Sequence, residues 1–221
     1  MPEIIEITVY AYAELSPQGR QAAQSAYNEP EDYWYEGIKE DYEERGQERG
    51  FDVEDIQWSG FHSQGDGASW TGQINIVPFL AYHLKPDDPA YSRYMVLIEL
   101  VENGFTSRRF EVSRNSHMYN HDRTMRVERE DLIDFANWDD TKVRSGIFAG
   151  ADAQPLAESI CMEGLMDELL VWATDEARGY ARDIYEALEG AYDDYSSEEY
   201  FAELCEINEW RFDASGKLVS R

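Results

Sequence analysis

Residues 59–70 (SGFHSQGDGASW) combine residue types that could bind a ligand. Three glycines allow the backbone conformations that turn N–H groups outward, and such a loop can hold an anion. Gln64 and Asp66 supply polar side chains within it. An aspartate between glycines also stabilises a tight turn through its own carboxylate. The segment therefore predicts a Gly-rich turn first and the edge of a ligand pocket second.

Residues 116–122 (SHMYNHD) form a second polar segment. On a strand, its alternate residues would share one face, and a histidine next to Asp66 or Asp122 could form an acid–base pair. The two histidines would then stand roughly 13 Å apart, at about 3.3 Å per residue, which is too far for one metal ion. We predict no metal and no cofactor, and keep as pocket candidates Gln64, Asp66, His117, Tyr119 and His121.

The motifs of several enzyme and ion-binding classes are absent from the sequence. It contains no phosphate-binding GxxxxGK[ST], no GxGxxG, no EF-hand pattern and no HExxH, and no nucleophile elbow. No catalytic residue is assigned. The sequence favours a protein that is not an enzyme, and a metal-independent hydrolase stays open as the alternative.

Carboxylates at helical spacing are the third chemical feature. Residues 29–55 hold 12 acids against 3 bases, and residues 152–209 hold 17 acids against 2 bases. On a helix, residues three or four positions apart lie about 5–6 Å from each other, which resembles the spacing of phosphates along a nucleic-acid strand. The predicted partner-binding residues are Glu36, Glu40, Asp41, Glu43, Glu44, Asp167, Glu168, Asp175, Glu176, Asp183 and Glu186.

The periodicity of apolar residues predicts the elements that position these groups. Helices are expected from Ser16-Pro17 to about residue 28, then over residues 30–50, 77–84, 157–191 and 196–204, the last with Ser196 as N-cap. Strands are expected over residues 3–15, 56–61, 70–77, 95–101, 105–112 and 207–212, with turns at residues 59–70 and at Asn103-Gly104. The sequence predicts one α+β domain over residues 1–221: an antiparallel sheet, helices packed mainly on one face, and an acidic helical surface.

The overall charge bounds the partners that the protein can have. With 46 acidic and 19 basic residues, the formal net charge is −27. Such a field repels nucleic acid and anionic membranes and attracts basic surfaces. No apolar run is long enough to span a membrane, no leader is recognisable, and Cys161 and Cys205 are expected as buried free thiols. We therefore expect a cytoplasmic protein.

Four groups of residues resemble a family of bacteriophage and prophage proteins. They are Leu15, Ser16, Arg20 and Ala23 after the first strand, residues 59–70, residues 116–121 (SHMYNH) and residues 208–219 (NEWRFDASGKLV). The family carries a close variant of SGFWSQGDGA, a later HxYxH segment and a similar C-terminal tail; His62 departs from it. The resemblance implies a phage-encoded protein acting inside a bacterial host, and no particular activity.

These observations give two hypotheses. In the first, a phage accessory protein inhibits a host defence factor, such as a CRISPR or restriction complex, by placing its acidic helices in the factor's basic nucleic-acid-binding cleft. The partner is then a host protein, with no direct contact to nucleic acid or membrane, and a homodimer stays open. In the second, residues 59–70 and residues 116–121 meet in one pocket that binds or hydrolyses a small molecule.

Overall fold

Four antiparallel strands form the centre of the fold in the computed structural model, which describes residues 6–28, 33–102, 107–115, 119–129 and 162–220. The strands lie in chain order in one sheet: β1 (Phe51–Ser59), β2 (Gly67–Asn75), β3 (Arg109–Arg114) and β4 (Met125–Arg129). Each neighbouring pair is antiparallel. The predicted hairpin across residues 59–70 is confirmed, with Ser59 opposite Gly67 at its end.

Six helices and a small second sheet complete the described elements. The helices are α1 (Pro17–Tyr27), α2 (Glu36–Glu48), α3 (Ile76–His83), α4 (Tyr91–Glu102), α5 (Met162–Ser196) and α6 (Glu198–Ile207). The small sheet pairs β5 (Arg211–Phe212) with β6 (Leu218–Ser220). Short 3₁₀ turns occupy Tyr12–Glu14 and Asp122–Thr124. None of the described helices combines the length and the apolar composition that crossing a membrane requires.

The chain divides into two compact units. Residues 38–186 form one, here called the sheet unit, and residues 1–37 with 187–221 form the other, the terminal unit. The expectation of a single domain stays a prediction.

The core of the sheet unit lies between the sheet and α5. Buried residues recur along α5 at three- and four-residue spacing, including Leu169, Ala173, Ala177 and Tyr180, which is the pattern of a helix with one buried face. Trp70 of β2 is fully buried, and its Nε1–H donates to the carbonyl oxygen of Ala177 over 3.0 Å. The predicted fold class, an α+β fold with helices packed against an antiparallel sheet, is confirmed.

The terminal unit has its own apolar core. Tyr12, Phe201, Cys205 and Phe212 are buried together, and the rings of Tyr12 and Phe201 meet edge to face with centroids 5.1 Å apart. Cys205 is a free buried thiol, as expected, and burial raises its pKa to about 11; Cys161 lies outside the described residues.

Helix ends follow the predicted chemistry, with one shift of position. Ser16 caps α1 by accepting a hydrogen bond from the backbone N–H of Gly19 (3.1 Å), and Pro17 occupies the first turn. At α6 the N-cap is Ser197, whose hydroxyl accepts from the backbone N–H of Tyr200 (3.1 Å). The prediction of Ser196 was wrong by one residue, since Ser196 ends α5.

Two predicted strands are absent from the residues that the structure describes. Within residues 6–15, only Tyr10 pairs with another chain segment, through a single bridge to Phe212, and a 3₁₀ turn follows. Residues 95–101 are helical, because they belong to α4, where Tyr94, Leu97 and Val101 are buried at helical spacing. A short segment that is apolar except for one residue, here Glu99, fits a strand or a buried helix equally well. Asn103 and Gly104 lie outside the described residues.

Candidate functional site

The exposed face of α2 carries a row of glutamates for which no described residue supplies a counter-ion. Glu36, Glu40, Glu44 and Glu48 are each exposed, and they follow one another at intervals of four residues. Successive members are therefore displaced by about 6 Å along the helix axis. Within the described part of the chain, none of the four has an ion pair or a side-chain hydrogen bond. Glu48 was not among the predicted residues, although its spacing continues the row.

The other predicted carboxylates of α2 differ from this row. Asp41 is paired with Arg45 one turn later, over 2.9 Å, and Glu43 is half-buried. The glutamate row, defined as Glu36, Glu40, Glu44 and Glu48, is thus the exposed part of α2 whose charge no described residue offsets.

Arginines pair with three of the six carboxylates of α5 that the sequence predicted as partner-binding. Asp167 lies 3.5 Å from Arg129, Glu168 lies 3.0 Å from Arg93, and Asp183 lies 3.4 Å from Arg49. These pairs are largely exposed, so each contributes little to stability, but each reduces the charge that a partner would meet.

Of the three remaining predicted residues of α5, one has a partner within the protein and two do not. Glu176 is held locally, because it accepts a hydrogen bond from Trp172 Nε1 (3.2 Å). Asp175 and Glu186 are exposed, with no ion pair to another described residue. The sequence could not anticipate the pairing, since the arginine partners are distant in the chain: Arg49 follows the end of α2, Arg93 lies in α4 and Arg129 in β4.

Asp66 stabilises the turn between β1 and β2. Its Oδ2 accepts the backbone N–H groups of His62 (2.9 Å) and Ser63 (2.6 Å). Gly60 and Gly65 adopt positive φ angles of 55° and 102°, a conformation that favours glycine. The prediction of a Gly-rich turn organised by an aspartate is confirmed, and Gln64 is exposed at its tip.

The turn and the second polar segment meet, as the pocket hypothesis required. A Cβ atom built on Gly67 would lie 2.9 Å from His121 Cδ2, so the absence of a side chain at this residue permits the close approach. Asn120 Nδ2 donates to the carbonyl oxygen of Trp58 (3.2 Å), which ties the segment to β1. Tyr119 is 59% exposed, and His117 lies outside the described residues.

An open cleft of about 520 Å³, here called the hairpin cleft, lies at this junction. Asp66 and His121 line it together with Asp122, Arg123 and Arg182. Asp122 is 7% exposed and accepts a hydrogen bond from Arg182 Nη1 over 2.7 Å. Its Oδ1 also contacts His121 Nδ1. The carboxylate therefore bonds Arg182 of α5 and lies against the ring of His121, whose Nδ1 accepts the backbone N–H of Arg123.

Sequence reasoning missed Arg123 and Arg182, and it named Asp122 only as a partner for a histidine. Arg182 is 60 residues from Asp122 in the chain, so no local spacing relates the two. The described residues hold no group of three or more histidine, cysteine, aspartate or glutamate side chains placed to bind a metal ion.

Comparison with known proteins gives a family and no activity. No curated protein and no solved structure matches the chain. The family model described as "Domain of unknown function (DUF8835)" matches residues 34–198, a span that includes α2, the four-stranded sheet and the hairpin cleft. Because this match takes in well over half of its length, the chain belongs to the DUF8835 family.

Proposed function

We propose that this protein binds the basic, nucleic-acid-binding surface of a partner protein through the glutamate row of α2 and thereby blocks that surface. The observation that carries the proposal is that Glu36, Glu40, Glu44 and Glu48 are exposed, regularly spaced and without a counter-ion among the described residues. In finer detail, the resemblance to phage proteins favours a host defence factor as the partner.

The energetics of the row support this proposal. Like charges four residues apart destabilise a helix by roughly 0.2–0.5 kcal/mol per pair. The four glutamates of the row form three such pairs. A cationic groove would remove this repulsion on binding. The net charge of −27 would also speed the encounter with a basic partner, because long-range attraction raises association rates.

The carboxylates of α5 have a smaller part in the proposal than the sequence assigned to them. Asp167, Glu168 and Asp183 already have arginine partners, and a competing basic surface would have to displace those arginines. Asp175 and Glu186 remain as exposed charges that could extend the contact.

The test compares two variants with the same change in net charge. In the first, Glu36, Glu40, Glu44 and Glu48 are replaced by glutamine. In the matched control, four exposed acids of the sheet strands are replaced by their amides: Asp52, Glu54, Glu111 and Glu128. A factor captured from bacterial lysate on the wild-type protein is purified, and its binding to a labelled DNA or RNA duplex is titrated with each protein.

We expect the wild-type protein and the control variant to displace the nucleic acid, and the α2 variant to lose most of this inhibition. The inhibition should weaken at high salt, because the Debye length falls from about 8 Å at physiological ionic strength to about 3 Å at about 1 M and the attraction between exposed charges is screened. Equal inhibition by the α2 variant and the wild-type protein contradicts the role of the row. Failure of any captured factor to bind nucleic acid contradicts the proposed function itself.

A further inference from the structure

The hairpin cleft contains charged groups that the proposed function does not use. It is built from the turn before β2, the Asp122–Thr124 turn and α5, so three separate parts of the sheet unit form its walls. Its volume of about 520 Å³ falls within the range of small-molecule sites. What it can bind depends on which of its polar groups are already satisfied.

Small residues keep the cleft open. Gly67, Ala68 and Ala181 line it, and both alanines are almost fully buried, at 2% and 0% exposure. At Gly67 even a methyl group would press against the ring of His121. The close approach of β2 and His121 at the cleft thus depends on the absence of a side chain at Gly67.

Two of the three acids in the cleft are occupied within the protein. Asp66 Oδ2 accepts two backbone N–H groups of its own turn. Asp122 is buried against Arg182 and His121. Glu186 is the exposed carboxylate that remains in the lining.

The donors, in contrast, are only partly used. Arg123 is exposed, and its guanidinium has no hydrogen bond or ion pair to another described residue. Arg182 gives Nη1 to Asp122 and remains 59% exposed, so further N–H groups of its fork are available. The backbone N–H of Arg123 donates to His121 Nδ1 (3.1 Å), which leaves Nε2 as the ring nitrogen for a ligand.

From this imbalance we infer that the hairpin cleft binds the oxyanion of a small ligand, a phosphate or a carboxylate, between Arg123, Arg182 and His121. Charge-assisted hydrogen bonds from arginine are the strong and geometrically specific contacts for both groups. Tyr185 also lines the cleft and packs on Phe61, with ring centroids 5.7 Å apart. It offers an aromatic wall for the organic part of the ligand.

The net charge of the protein does not prevent this binding at physiological salt. The Debye length is about 8 Å at 0.15 M, so distant carboxylates are screened, whereas a bound oxyanion lies in direct contact with the guanidinium groups. This site is independent of the glutamate row, because none of its lining residues belongs to α2.

Calorimetric titration with three probes tests the inference: inorganic phosphate, adenosine monophosphate and benzoate, each in about 0.15 M NaCl. If inorganic phosphate binds as tightly as adenosine monophosphate, the oxyanion is the recognised group. Tighter binding of adenosine monophosphate or benzoate shows in addition that the aromatic wall takes part.

Arg123→Gln is the informative variant, because its exposed side chain supports no other described residue. We expect it to weaken probe binding about tenfold, as for loss of one charge-assisted hydrogen bond. Arg126→Gln is the matched control: the residue is also exposed, lies on β4 and is outside the cleft lining. It should bind as the wild-type protein does.

Two results would overturn the inference. One is the absence of saturable binding for all three probes up to about 10 mM, beyond the weakest affinities expected of a specific site. The other is an equal loss in Arg123→Gln and Arg126→Gln, which would assign the binding to general charge. Arg182 is left unchanged, because its removal would leave Asp122 buried without its cation.

Discussion

His83 is a residue whose surroundings make the stability of the sheet unit depend on pH. Its side chain is 13% exposed, and Nδ1 lies 4.0 Å from Glu176 Oε2. Its ring packs against that of Phe79 at a tilt of 40°, with centroids 4.5 Å apart, and Nε2 is buried without a hydrogen-bond partner among the described residues. Burial lowers the pKa of His83 below its ordinary value of 6.5, while Glu176 opposes the shift.

This lowered pKa predicts a loss of stability in acid. The unfolded chain takes up the proton near pH 6.5, whereas the folded protein binds it only at lower pH. The stability that the protein gains from keeping His83 neutral is therefore complete above pH 6.5, and it is lost as the pH falls towards the pKa of His83 in the folded protein. Urea unfolding at about pH 7.5 and about pH 5.5 measures the difference. His83→Gln should reduce it, while His62→Gln, at an exposed position of the turn, should not. An unchanged difference in His83→Gln would assign the acid sensitivity to other groups.

At the scale of elements, the sequence predicted what local signals encode. Ser16-Pro17 fixed the start of α1, and the three- and four-residue spacing of apolar residues predicted α5. Residues 95–101 were wrongly predicted as a strand, because an apolar run has no period that separates a strand from a buried helix. The strand predicted over residues 3–15 was also wrong in its described part, residues 6–15: Ile7 is 58% exposed, and the apolar side chains buried there are Tyr12 and Leu15.

The candidate site was predictable only in part for a related reason. Asp66 and His121 stand in recognisable polar segments, and the structure brings both to the hairpin cleft. Arg182 lies within the long amphipathic pattern of α5, which predicts a helix but not the contact between Arg182 and Asp122. Only the packing of α5 beside the Asp122–Thr124 turn reveals that pair.

The turn between β1 and β2 allows an element-scale prediction. Asp66→Ala removes the acceptor of two backbone N–H groups, and loss of comparable helix caps costs about 0.5–2 kcal/mol. We expect the free energy of unfolding to fall by a similar amount. Gln64→Ala, two residues earlier at an exposed position, should change it by less than about 0.5 kcal/mol. Equal effects of the two substitutions in urea titrations would show that the Asp66 carboxylate does not hold the turn.

For the molecule as a whole, charge is the dominant property. A net charge of −27 on 221 residues destabilises any compact state by self-repulsion. Three ion pairs of α5, those of Asp167, Glu168 and Asp183, recover little of this, since they are largely exposed and such pairs contribute about 0–1 kcal/mol each. The same excess charge that would attract a basic partner should therefore limit the stability of the free protein.

This trade-off predicts that salt stabilises the protein. Raising NaCl from about 0.01 M to about 1 M shortens the Debye length from about 30 Å to about 3 Å, so the repulsion between carboxylates is screened and Tm should rise. NaCl is the appropriate salt, because sulfate would also strengthen apolar burial. Replacing the four glutamates of the row by glutamine should raise Tm at low salt and reduce the increment that salt produces. If Tm stays constant or falls with NaCl, ion pairs outweigh repulsion, and the carboxylates of α2 are not the uncompensated surface on which partner binding depends.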